Sequence, residues 1–186
     1  MNEKNKQIDV TEKETSYKKK KFYKIDNSRL RDAGGFALVE AFNWSNVANQ
    51  IYDNNNLKSQ YCICSLLAIE LFLKSILFNL GVNVTTEKNG HKIYEMYNNV
   101  CLTEDIRNEL KKDVKIDKCV VKNFSSEYIQ FNNFEEELNY ISEDFCYLRY
   151  EYEKFLTGKQ IIILKNFIKT LKYTAEKIAF RINGQK

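Results

Sequence analysis

A chain of 186 residues that is 44% hydrophobic and 13% aromatic is too apolar for general disorder, and it is long enough for one well-buried domain but not for two. Proline is absent and glycine occurs only six times, which favours long uninterrupted helices and excludes architectures rich in tight turns. The net charge of +4 resides in residues 1–24, where eight lysines face four acids. The remaining 21 basic and 21 acidic residues balance, so the basic pI does not by itself make the body a nucleic-acid binder.

Residues 1–24, ending in YKKKKFYK, have no sustained periodicity and read as a disordered Lys-rich arm. Such an arm serves either as a solvated tail or as an electrostatic tether for RNA, DNA or an anionic membrane. It has no apolar run of the kind a secretory leader carries. The five cysteines, Cys62, Cys64, Cys101, Cys119 and Cys146, have no framework spacing, which gives an expectation of reduced, mostly buried thiols in the cytoplasm. Cys62 and Cys64 project about 200° apart on a helix, so they are not expected to share a metal ion, and neither a metal nor a cofactor is predicted.

A first helix is predicted after RDAGG, because Ala37, Ala41, Trp44, Ala48 and Ile51 form one apolar stripe. DNNN, Asp53 to Asn56, breaks it, and so short a connection predicts an antiparallel neighbour. The second helix, about Lys58 to Leu80, is apolar around most of its circumference and belongs at the centre of a bundle, with Gly81 as its stop. Tyr61 to Leu80 has the length of a membrane span. Glu70 and Lys74 at its middle would each cost about 2.5–3.5 kcal/mol on insertion, so a buried soluble helix is the reading and no span is predicted.

An Asn-rich loop leads to His91 and a short helix, KIYEMYNNV. TEDIRNELKKD follows as a helix capped by Thr103, with acids in its first turn and lysines in its last. Residues of about 114–132 mix β-branched and polar types and read as an irregular insertion. Two heptad seams end the chain, Phe134 to Phe155 and Ile161 to Ile182. The LTGK break between them predicts an antiparallel helical hairpin. The domain organisation is therefore an arm, 1–24, and a single all-α domain, 25–186, built as an antiparallel bundle of four long helices plus one or two short ones.

The polar residues left in these apolar helices are the candidate site. Glu70 and Lys74 lie four apart on the central helix, either as an exposed ion pair or as part of an internal network. Arg149, in FCYLRYEYEKF, has Tyr150 beside it and Glu153 one turn on; arginine can hold a carboxylate for helix register or clamp a phosphate. His91 is the single histidine, so any imidazole chemistry depends on it.

Four pieces taken in order resemble the HEPN superfamily of small all-helical modules. They are the first helix with Trp44 and Ala48, SLLAIELFLKSIL on the second, the GHKI turn, and LRYEYEKF late in the chain. The resemblance covers roughly residues 35–180. It implies a bundle of four or five helices, often a homodimer, in prokaryotic phage-defence or toxin–antitoxin systems, with a cognate antitoxin or defence protein as partner. It also implies, for many members, metal-independent ribonuclease activity from an arginine followed after four to six residues by a histidine. Here the three corresponding positions after Arg149 are Lys154, Phe155 and Leu156, so that motif is absent. The expectation is a non-catalytic module that binds RNA, a nucleotide or a partner through Glu70, Lys74, His91, Arg149, Tyr150 and Glu153. The alternatives are an unorthodox endoribonuclease using Arg149 and His91 as catalytic residues, and a plain structural interaction protein.

Overall fold

The computed structural model describes residues 25–84, 92–114, 119–122, 128–148 and 158–183, and helices account for most of them. The first turn is a short 3-10 element, Asn27–Arg29, opened by Asp26, whose carboxylate accepts the Ser28 N–H at 2.9 Å. Helix α1 follows directly at Leu30–Ile51. It starts several residues before the predicted point and runs through Gly34 and Gly35.

The reason lies in the packing of α1 on α2, Lys58–Asn79. A Cβ at position 34 would stand 2.9 Å from Asn79 Nδ2, so the close contact with α2 there leaves no room for a side chain unless Asn79 shifts. There Ser75 Oγ donates to the Gly34 carbonyl at 2.8 Å, and the Asn79 amide donates to the Ser75 carbonyl at 2.9 Å. At the other end of the pair, the rings of Tyr52 and Tyr61 meet edge to face at 5.3 Å. The two helices thus run in opposite directions, joined through a turn in which Asn54 Oδ1 accepts the Asn56 N–H.

Helix α2 is buried on nearly every side and touches α1, α3, α5 and α6. Leu66, Ile69, Phe72, Leu73, Ile76 and Leu77 are fully inaccessible, and each contributes roughly 1.5–3 kcal/mol of hydrophobic stabilisation. Asn55–Asn79 is long and apolar enough by composition to cross a membrane, but 78% of its apolar window is buried by the fold itself. Its stop is a Schellman motif: Gly81 takes φ 81°, Val82 N–H reaches the Leu77 carbonyl and Gly81 N–H the Phe78 carbonyl.

Helix α3, Ile93–Tyr97, is tied to α5, Phe134–Leu148, by a hydrogen bond from Tyr94 N–H to Ser142 Oγ. Helix α4, Glu104–Lys111, has the predicted Thr103 cap, with Oγ1 accepting from Ile106 N–H at 3.5 Å. The region read as irregular contains two strands, β1, Cys119–Lys122, and β2, Tyr128–Phe131, paired antiparallel with Cys119 opposite Phe131. Its β-branched and aromatic residues were the signal for them. Phe131 then packs on Tyr140, ring to ring at 5.2 Å, which fastens the sheet to α5. Asn133 and Glu136 form a reciprocal cap at the start of α5: Asn133 Oδ1 accepts the Glu136 N–H while its amide donates to Glu136 Oε1.

Helix α6, Gly158–Asn183, buries the predicted seam Ile161, Leu164, Ile168, Leu171 and Ala175. That seam faces chiefly α2 and α4, whereas α5 packs against α3 and α2 and meets α6 at the Phe134–Phe167 ring contact, 4.8 Å. Among the described residues the expected antiparallel hairpin of α5 and α6 is represented by that ring contact, and the larger neighbour of the α6 seam is α2. A heptad pattern fixes which face is buried but not which helix covers it, and the all-round apolar α2 offers the larger surface. Tyr97 joins Phe134 and Phe167 to make an aromatic triad where α3, α5 and α6 converge.

Candidate functional site

Of the residues singled out in the sequence, the structure brings Glu70 and Lys74 together. They sit one turn apart on α2, with Lys74 Nζ 2.7 Å from Glu70 Oε1, and both are buried, at 3% and 9% exposure. The sequence left open an exposed edge or an internal pair, and the pair is internal. Two charges removed from water are costly unless each neutralises the other, so the bond is a condition of burying either one. An ammonium committed in this way is a charge-balancing group and not a free phosphate clamp. His91, Arg149, Tyr150 and Glu153 lie outside the described residues.

Other titratable side chains in the body are held in unreactive forms. Burial pushes the Tyr61 phenol up to about 12, and its hydroxyl donates to the Ile161 carbonyl at 3.3 Å. Burial also raises Tyr97, and the Glu135 carboxylate beside it raises it further. For Glu135 itself burial is the largest single influence and works against the charge, but the hydrogen bond from Lys111 Nζ at 2.8 Å, a backbone hydrogen bond and the Lys111 charge together hold the carboxyl below its ordinary range. Cys62 and Cys64 are buried thiols, with Cys64 raised by burial, and Cys101 is exposed. Among the described residues no three His, Cys, Asp or Glu side chains converge to hold a metal ion.

The most distinctive surface is the outer face of α6, which sequence averaging hid. Residues 158–183 carry Lys159, Lys165, Lys169, Lys172, Lys177 and Arg181 against the single acid Glu176. Between those cations stand Ile162, Tyr173 at 55% exposure and Phe180 at 75%. Lys165 Nζ lies 3.6 Å from the centre of the Tyr52 ring, Lys172 Nζ 4.7 Å from that of Phe42, and Lys177 Nζ 5.7 Å from that of Tyr173. Cations held over aromatic faces keep their charge while their stems cover apolar surface. Beside this ridge a surface recess of about 250 Å³ is lined by Glu109, Lys112, Asp113, Lys169, Thr170 and Tyr173. Asp113 stands 3.9 Å from Lys169, a loose exposed pair of little energetic weight.

Counting charge helix by helix would have exposed this face. Residues 123–148 hold six acids and no base, so the neutral total conceals an acidic stretch followed by a basic one. No protein-family model, no curated protein and no solved structure matches the chain.

Proposed function

We propose that the chain is a HEPN-like module, an antiparallel bundle of four long helices with short additions, that binds RNA without cleaving it as part of a prokaryotic defence or toxin–antitoxin system. The observation that carries the RNA reading is the outer face of α6, where Tyr173 and Phe180 stand in solvent among lysines. Exposed rings offer platforms on which bases of a single strand stack, and interleaved cations neutralise its phosphates. Tyr173 and Phe180 are seven residues apart, about 10 Å along the helix, which leaves room for nucleotides between two stacking points. The resemblance carried by SLLAIELFLKSIL supplies the choice of RNA and the biological setting. The burial of Glu70 and Lys74 as an ion pair, within that same segment, supports a role for them in the scaffold.

The test is a titration of labelled single-stranded RNA with the full chain, with the same RNA followed for cleavage. Saturable binding without cleavage is expected, weakened roughly 30- to 100-fold by Lys169→Gln, Lys177→Gln and Arg181→Gln together. Binding unaltered in that triple variant removes α6 from the reading. Cleavage by the wild type that disappears in both Arg149→Ala and His91→Ala would instead make the protein a ribonuclease.

A further inference from the structure

We propose that the recess between α4 and α6 is a base pocket selective for guanine, filled by one nucleobase of the single strand that α6 binds. This rests on the RNA reading of α6 and goes further by naming the base. The recess, about 250 Å³, lies where Glu109, Lys112 and Asp113, at and just past the end of α4, meet Lys169, Thr170 and Tyr173 of α6. Pockets for drug-sized ligands run from about 300 to 1,000 Å³, so this one suits a smaller planar group. Thr170 is buried within the lining, and its hydroxyl donates to the Leu110 carbonyl at 2.8 Å, which ties the two helices together there.

Charge selects the kind of group. The ridge of α6 is strongly cationic, whereas the recess sets two carboxylates against two lysines and carries no net charge. A phosphate is drawn to the ridge and repelled by the two acids, so the backbone follows the ridge and the recess takes an uncharged group. Tyr173, 55% exposed, belongs to both, and a base turned away from the backbone rests against its ring.

Hydrogen-bonding capacity selects the base. A carboxylate only accepts and an ammonium only donates. The Asp113 carboxylate and the Lys169 ammonium stand 3.9 Å apart, too far for a tight pair, and their side chains stay accessible at 49% and 77%. An acceptor and a donor side by side, with a second acceptor in Glu109, match a base edge that carries one acceptor next to two donors. Guanine presents that edge, because its O6 accepts while N1–H and the 2-amino group beside it donate. Adenine, cytosine and uracil each carry a single donor group on the same edge, which leaves one of the two carboxylates without a partner.

The test is a titration of the full chain with four single-stranded RNAs of uridines that differ only at one central position, occupied by guanosine, adenosine, inosine or uridine. The guanosine strand should bind about tenfold tighter than the adenosine strand, although both purines stack. Inosine, which lacks the 2-amino group, should bind at least about threefold more weakly than guanosine. In the double variant Glu109→Gln with Asp113→Asn, whose amides donate as well as accept, the ratio of guanosine to adenosine affinity should fall to about one. The ratio is the readout, because removing acids beside lysines strengthens the binding of any strand. Equal affinity for the guanosine and adenosine strands overturns the guanine pocket and leaves the α6 reading standing. So does a guanosine preference that survives in the double variant, or inosine bound as tightly as guanosine. Binding of none of the four strands overturns the RNA reading and the pocket with it.

Discussion

The outer faces of α1 and α6 both leave large apolar side chains in water, and they differ in what stands between them. On α1, Phe36, Val39 and Val47 are exposed beside Glu40 and Asn43 and no cation; on α6, Ile162, Tyr173 and Phe180 are interleaved with lysines. Apolar surface alone does not specify a partner. Without positive charge it fits another protein surface, and with positive charge spaced along it, it fits a polyanion whose bases can stack. In the RNA reading proposed above, it is therefore α6 and not α1 that meets nucleic acid.

That division is sharpened first by what should not take part in it. Glu70→Leu leaves the Lys74 ammonium buried without its carboxylate, and a loss of about 3 kcal/mol in unfolding free energy is expected. Glu70→Leu combined with Lys74→Met should recover part of it, because the unpaired ammonium is then gone. Denaturant titration checks both, and neither should alter binding on the outer faces once the protein is folded. Next in size is the α6 triple variant, whose 30- to 100-fold loss of RNA affinity should come with an unchanged unfolding free energy.

Smaller effects test the scaffold that holds the faces. At Gly34 a new Cβ must displace Asn79, which is hydrogen-bonded to the Ser75 carbonyl, so Gly34→Ala should cost about 1 kcal/mol despite its better helix propensity. Gly35→Ala meets nothing and should gain about 0.5–1 kcal/mol. Thermal unfolding of the pair separates close packing from propensity. Smallest is the acid limb. The Glu135 carboxyl is held below its ordinary value in the folded chain, so its contribution is present above the unfolded value, near 4.5, and is lost as pH falls through the lower folded one. In Lys111→Met the slope of stability against pH below about 4.5 should be shallower.

Much of the fold was legible because its signals were local. The all-round apolar α2, the Asn54 turn, the Gly81 stop and the Thr103 cap each act within a turn or two of the chain, and each is where the pattern put it. What depended on distant partners was not legible. Gly34 and Gly35 read as a break before a helix because nothing in the sequence shows that Asn79 and Ser75 require a small residue at position 34. The seam of α6 was visible, but its covering helix was not. For the site, spacing disclosed the Glu70–Lys74 pair, and only tertiary packing decided that it was internal. The α6 face was present in the sequence throughout, and summing charge over the whole body cancelled it against the acids of 123–148.

The central claim, that α6 reads RNA through phosphates and stacked bases, is tested most directly by the salt dependence of RNA binding. Each cation that neutralises a phosphate on a single strand contributes about 0.7 to the slope of log affinity against log salt. The triple variant at Lys169, Lys177 and Arg181 should therefore bind with a slope shallower by about 2 than the wild type. Identical slopes for the two proteins would contradict the account.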